Sequence, residues 1–428
     1  MKYDALIIGG GTAGLSCAIR CLEAGMKTAL ISEGQNALHF ASGSLDLLGA
    51  LDGEPVHRPF QVIEKMAETR PNHPYACVGV NRVRDAMNWM AGLLGAEGIE
   101  MDGEGESNHL RLGTLGVMRP TWLSQKTVKR LQPHTNLKSV ALITIDGFRD
   151  FQPALAVAAL RKQFGDKLKI TTGSIDLDAF KTVKRNPCEF RSSDIAYILQ
   201  QGDYLAEIAK KLRNQAQGAD LVAIPSVLGV KEGIAMQQSL ELQSGLKLTE
   251  VPTMPPSLPG IRLADALKAR FQALGGVLLQ GDRVISGEFE QGQLKSVMTR
   301  QQGDQRFRAD HFVLASGSYF SKGLVGDRQQ IREAIFGLDV IAPVARNEWH
   351  SEKFFDPMSH PFMDAGVETN QFLNPSLQGE VIDNLYCVGS VLSGYDPVKE
   401  GSGSGVAAST GFYAAEQILE NWRKKEAV

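Results

Sequence analysis

At 428 residues and about 150 residues per domain, the chain allows roughly two to three domains, or one large core with an inserted lobe, and a small stapled scaffold is excluded. Hydrophobic residues make up 43% and charged residues 22%, ordinary globular values. The 45 Lys and Arg against 48 Asp and Glu leave a net charge of −3, which argues against nucleic acid as the main partner.

The chain opens on a β-α-β pattern. Ala5 to Ile8 form an apolar run suited to a buried parallel strand, and Gly9-Gly10-Gly11-Thr12-Ala13-Gly14 follows at once. Leu15, Ala18, Ile19 and Leu22 recur at helical spacing, Gly25 ends the helix, and Thr28 to Ile31 read as a second strand ending in Ser32 and Glu33. Nothing at the N-terminus has the pattern of a secretory leader, which reads as cytoplasmic. A small-residue stretch, Asn36 to Leu51, precedes a departure from this first sheet. From about Phe60 to Leu248, helical patterns (Val83 to Leu94, Ala154 to Phe164, Asp194 to Ala216) alternate with strand runs such as Val140 to Ile145 and Leu221 to Ile224. The apolar runs here fall far below the roughly 18 residues of a membrane span. The Pro-rich segment Pro252 to Pro259 then leads into a helix, Leu263 to Leu274. Strands follow at Val277 to Gln280, Val284 to Glu290, Leu294 to Thr299 and Asp310 to Ala315, with a hairpin turn at Glu290 to Gln293. A last strand, Leu385 to Val388, and a Gly/Ser loop lead into an Ala-rich helix ending near Trp422.

The division expected is therefore 1–55, 256–330 and 381–428 as three parts of one domain, 56–255 as an inserted α+β lobe, and 331–380 as a cap or substrate segment. Five cysteines are widely scattered with no Cys-x-x-Cys pair, so no metal site is expected from this chain alone. Cys17 and Cys21 read as small buried hydrophobes.

The first turn carries chemistry. In Gly9-x-Gly11-x-x-Gly14 the first glycine permits the tight turn, the second lets backbone approach a phosphate, and the third lets helix pack on strand, with the anion at the helix N-terminus. Glu33, nineteen residues past Gly14, is placed to accept hydrogen bonds from a ribose. Two later strands also end in a small residue and glycine, at Gly317 and Gly389, as needed where backbone passes close to a cofactor. Gly401, Gly403 and Gly405 open the last helix and offer amides to a flavin ring or phosphate. Their order gives the fold class: an α/β two-domain flavoprotein with an N-terminal Rossmann-like β-α-β dinucleotide-binding unit and an inserted lobe.

Over essentially its whole length the chain resembles the B subunits of anaerobic glycerol-3-phosphate dehydrogenases. The resemblance is carried by Ile7 to Gly11, by Ala37-Leu38-His39-Phe40-Ala41-Ser42-Gly43-Ser44-Leu45-Asp46-Leu47-Leu48, and by Ser393 to Pro397 with Glu400 to Val406. It implies a flavin-bearing subunit that works with a larger flavin-bearing catalytic subunit to oxidise glycerol 3-phosphate to dihydroxyacetone phosphate. A third, iron–sulfur subunit would anchor the pair on the cytoplasmic side of the inner membrane and pass electrons to quinone. The family points to FMN, whereas the glycine fingerprint with its terminal acid favours FAD; the family tips the expectation to FMN. Ser42 and Gly43 join the glycines as expected cofactor contacts. His39 and Lys399, both in family-like segments, are the catalytic candidates, ahead of Arg119, Arg262, Arg346, His350 and His360. Two other readings remain open: a flavin electron-relay or assembly subunit that never meets substrate, and a flavoprotein that modifies RNA, against which the net charge counts.

Overall fold

The computed structural model describes residues 2–131, 137–183, 186–356 and 358–426. The chain divides into two units, one formed by Met1–Ala37, Asp46–Leu93 and Leu267–Val428, the other by Leu38–Leu45 and Leu94–Ala266.

The first unit is built on β1 (Lys2–Ile8), α1 (Thr12–Glu23) and β2 (Thr28–Ser32). Its seven-stranded sheet runs Val277–Gln280, β2, β1, Arg306–Leu314, Gln293–Thr299 and Val284–Glu290, with Leu385–Cys387 also paired to Arg306–Leu314. The strands around β1 are parallel, and their registers bring Ile8 level with Ile31 and Leu314, and Leu314 level with Cys387. All four strands thus end at one edge of the sheet. Burial on both faces explains why β1 and β2 are continuous apolar runs rather than alternating ones. The expected hairpin is present: Glu290 pairs with Gln293, and Gln291 and Gly292 both take positive φ, the pair of left-handed residues that a two-residue turn needs to match strand twist. The long last helix, Gly403–Glu426, lies against α1, and Gly411 permits the approach, since a Cβ there would meet the Ala13 carbonyl oxygen at 2.3 Å. Cys17 and Cys21 are buried free thiols in α1.

Residues 46–93, expected for the most part in the lobe, group with this first unit instead. Tyr75 explains why. It is fully buried in the short helix Pro74–Val78, and its hydroxyl donates to the Leu47 carbonyl. Gly405 has no side chain to obstruct it: a Cβ there would sit 2.1 Å from that hydroxyl.

The second unit is more regular than the α+β lobe expected. Its main sheet is parallel, in the order Lys169–Ile175, Ser139–Ile145, Leu221–Pro225, Leu248–Val251. Helices separate these strands in sequence (Pro153–Phe164, Ser192–Gln200, Leu205–Ala216 and Gly233–Ser244), and crossovers of that length return the chain in parallel. Two short antiparallel pairs, Met101–Gly103 with Leu123–Gln125 and His109–Leu112 with Met118–Thr121, supply the remaining β-structure named here. The helix expected over 194–216 is two helices, broken around Gly202. Among the described residues no helix is long and apolar enough to cross a membrane.

Candidate functional site

The common edge of the first unit's parallel strands is where its chemistry-bearing glycines lie. Gly9 has φ +114°, and a Cβ on it would meet the Ala315 carbonyl oxygen at 2.1 Å; a Cβ on Gly14 would meet the Gly9 carbonyl oxygen at 2.0 Å. Both positions are closed by the protein's own backbone. Gly11 differs, since among the described residues nothing beyond its chain neighbours lies within 4 Å of where its Cβ would be. It stands at the N-cap of α1, with no side-chain cap and no acidic residue in the first turn. The positive end of this helix therefore faces open space with its first amides unclaimed by side chains, which suits a phosphate. Beside it, Ser316 has a buried hydroxyl with no hydrogen-bond partner among the described residues, at the end of the strand paired to β1. An open cradle and an orphaned hydroxyl fit a bound dinucleotide at this edge.

The other strand ends refine this picture. Gly389 takes φ +73°, its amide donates to Thr410 Oγ1, and a Cβ would lie 2.8 Å from that of Ala13, so its smallness serves the packing of α1. Gly317 takes φ +80°, and the Ser321 side chain is 2.9 Å from where its Cβ would stand. Glu33 follows β2 with a half-exposed side chain, its carboxylate 3.7 Å from Arg283. An exposed pair at that distance is weak, so the carboxylate can exchange it for a ribose. Asn36 braces the same edge by donating to the Gly10 carbonyl at 2.7 Å. Glu33→Gln is therefore expected to weaken FAD binding by about 1.5–3 kcal/mol, the loss of a charged hydrogen bond, with little effect on FMN, which has no adenosine. Flavin titrations with both cofactors check this, and equal losses would remove Glu33 from ribose binding.

The Gly401 to Gly405 loop is held by groups far apart in the sequence, Asp46 and Ser404. Ser404 Oγ donates to the Asp46 carbonyl and accepts from the Asp46 amide, and the Gly405 amide donates to the same Asp46 carbonyl. One amide of the helix end is thus taken by the chain itself. Behind the loop, the buried imidazole of His73 has Nε2 3.1 Å from Glu400 Oε2, while its Nδ1 accepts from the Tyr75 amide. The Tyr395 hydroxyl is buried close by without a hydrogen-bond partner among the described residues, and burial, with Glu400 next, pushes its phenol well above the ordinary range. No sequence signal marks His73, because its partner lies 327 residues away.

His39, Ser42 and Gly43 lie in the second unit. Arg111, buried, donates to Ser42 Oγ at 2.6 Å and Ser44 Oγ at 3.1 Å, and Gln125 donates to the Gly43 carbonyl at 3.1 Å. Gly43 has φ +75°, and a Cβ there would meet Pro259 at 2.4 Å. The His39 carbonyl accepts from the Ser257 amide. Lys399 belongs to the first unit, where its ammonium donates to the Asp356 carbonyl at 2.6 Å. His39 and Lys399 are thus carried by different units.

The remaining candidates have structural partners. Arg262 is almost fully buried and paired to Glu250 through both terminal nitrogens, at 2.6 and 3.2 Å, so it is not open to a phosphate. Arg346 lies over the Trp349 ring at 4.1 Å. His360 accepts from the Ser351 amide, and His350 Nδ1 is 3.3 Å from the Ser351 carbonyl. Arg119 pairs backbone with Arg111 in a hairpin.

Residues 4–406 match the family described as an FAD binding domain. The chain is 47% identical to the B subunit of anaerobic glycerol-3-phosphate dehydrogenase of Aliivibrio fischeri (strain MJ11), covering 98% of this chain and 96% of that protein. It is 44% identical to the protein of the same name from Vibrio vulnificus (strain CMCP6), over 98% and 97%. With its counterpart in Yersinia enterocolitica (serotype O:8 / biotype 1B, strain NCTC 13174 / 8081) it shares 39% identity, over 98% of each. The expectation of FMN gains no support from these matches, since the domain is one defined by FAD. The chain belongs to the FAD-binding domain family and, within it, to the family of anaerobic glycerol-3-phosphate dehydrogenase B subunits.

Proposed function

We propose that this chain is an FAD-bearing subunit of a respiratory dehydrogenase that oxidises sn-glycerol 3-phosphate to dihydroxyacetone phosphate. The observation that carries this is the 47% identity, across 98% of the chain, to a protein of that name; the uncapped helix end at Gly11 supports the cofactor part. When bound, the flavin supplies a hydride acceptor for a secondary alcohol. The chain's own residues bind and orient: the first amides of α1 hold the diphosphate, Glu33 the adenosine ribose, and the amides of Gly401 and Gly403 the ring, with Gly405 closing the loop against Asp46. Ser42, Gly43, Gly317 and Gly389 complete the set of contacts proposed from the sequence. His39 is our proposal for the base that takes the hydroxyl proton, and Lys399 for a cation that meets the substrate phosphate.

A B subunit is by its name one member of a multi-subunit complex. The partners proposed are a larger flavin-bearing catalytic subunit and an iron–sulfur subunit that anchors the pair at the cytoplasmic face of the inner membrane and delivers electrons to quinone. A relay role, in which this flavin never meets substrate, is the second reading; it is favoured by Lys399, whose ammonium is already bonded to the Asp356 carbonyl.

Anaerobic addition of sn-glycerol 3-phosphate to the purified protein separates the two. Bleaching of the flavin without the partner supports direct oxidation, bleaching only with the partner supports the relay, and release of FMN on denaturation overturns the FAD assignment. Cell fractionation tests the anchoring. The chain should leave the membrane fraction when the iron–sulfur subunit is deleted, and continued pelleting would show a membrane contact of its own.

A further inference from the structure

Glu400 is a buried carboxylate with few charges to balance it. Its Oε2 accepts from His73 Nε2 at 3.1 Å and from Ser402 Oγ at 2.9 Å, and the Arg70 guanidinium lies 4.0 Å from Oε1. Arg70 is also paired to Asp52. The imidazole is held in place from its other side, where Nδ1 accepts from the Tyr75 amide at 3.0 Å. Asp364 and Asp396 are the other carboxyls nearby, and burial, followed by Asp396, raises the Asp364 carboxyl above its ordinary range. The Glu400 backbone is pinned as well, its carbonyl accepting from the amides of Gly49 at 2.7 Å and Ala50 at 3.0 Å. The positive end of the helix Gly403–Glu426 begins three residues later. It helps stabilise this carboxylate.

We propose that Glu400, held by His73 and Ser402, is a positioning residue that sets the reduction potential of the flavin. The proposal rests on the reading that the amides of Gly401 and Gly403 meet the flavin ring. Glu400 then draws on the same helix end as the flavin, from the residue directly before that loop. Reduction adds electrons to the flavin, and a fixed buried carboxylate beside the loop opposes that added charge. The carboxylate thus holds the potential down, and its hydrogen-bond donors moderate the effect by neutralising part of the charge.

Two variants shift the potential in opposite directions. Glu400→Gln keeps the shape and removes the charge, so the ratio of reduced to oxidised flavin at a fixed applied potential should rise about tenfold, about 30 mV for a two-electron couple. Ser402→Ala keeps the charge and removes one of its donors, so the ratio should fall. Glu400→Asp, which retains the charge, should stay closer to wild type than Glu400→Gln. The readout is spectroelectrochemical titration of FAD bound to the purified protein, with circular dichroism to verify folding. A bound flavin whose potential is the same in wild type and Glu400→Gln overturns the proposal. If Glu400→Gln does not fold, Ser402→Ala decides, and an unchanged or raised ratio overturns it. Wild-type protein that binds no FAD overturns the underlying cofactor reading and this proposal with it, an outcome seen before any variant is made.

Discussion

Gly11→Val should leave a folded protein that no longer retains its flavin. Apart from its chain neighbours, no described residue comes within 4 Å of the Cβ position of Gly11, and its φ of −80° is one that any residue can adopt. Folding then loses only the modest preference for glycine over valine at an N-cap, about 1 kcal/mol. The ligand meets a different situation. Valine would fill the space through which the proposed phosphate approaches the first amides of α1, and overpacking of that kind costs about 1–3 kcal/mol or more, roughly 5- to 150-fold or more in affinity. Flavin absorbance per mole of purified protein, with circular dichroism for the fold, gives the result. Gly14→Ala is the contrasting case. Its Cβ would lie 2.0 Å from the Gly9 carbonyl oxygen, so it should damage the fold itself. Wild-type flavin content in Gly11→Val would remove the phosphate from this helix end.

Much of the first unit is legible because its signals are local. The run Ala5 to Ile8, the glycine turn and the helical spacing of α1 lie within 33 residues, and the strands from Val277 to Leu314 are bounded by turns whose residues announce them. The second unit's edge strand Lys169–Ile175 escapes a reading of the sequence because Thr171, Thr172 and Gly173 interrupt any apolar run, and much of the strand stays accessible. Strand Leu248–Val251 is hidden by a charged residue, Glu250, in a wholly buried segment. Residues 46–93 resemble the lobe because nothing in their composition reveals that Tyr75 reaches Leu47 and that Gly405 leaves room for it.

The candidate site divides in the same way. A glycine at a turn is visible in the sequence, but its reason is not. Gly9, Gly14 and Gly389 are each crowded by the protein's own atoms, while Gly11 alone of this group faces open space. Groups that act through distant partners leave no spacing to read, and His73 with Glu400 is one such pair. Arg262 illustrates the opposite error. Arginine is a residue type that a phosphate substrate calls for, and the structure instead gives this one a carboxylate and two carbonyls.

Arg262→Ala should therefore cost stability in the second unit rather than substrate affinity. The guanidinium donates to both oxygens of Glu250, to the Leu228 carbonyl at 2.6 Å and to the Gly229 carbonyl at 3.0 Å, and both side chains of the pair are almost fully buried. Removing one partner leaves a carboxylate without its cation in the interior, a loss of about 3–5 kcal/mol. For a unit of this size that corresponds to a fall in melting temperature of roughly 6–20 °C. The chain has two units and need not unfold in one step, so the transition to follow is the one that Arg262→Ala moves. A paired replacement, Glu250→Leu with Arg262→Met, should be milder because no charge is left unpaired. It still should not reach wild type, since Glu250 Oε1 also accepts from the Leu228 amide at 3.1 Å, and that amide would lose its acceptor. Calorimetry on the three proteins gives the order wild type, paired variant, Arg262→Ala. An unshifted melting curve combined with a raised KM for glycerol 3-phosphate would reverse the assignment and return Arg262 to the substrate.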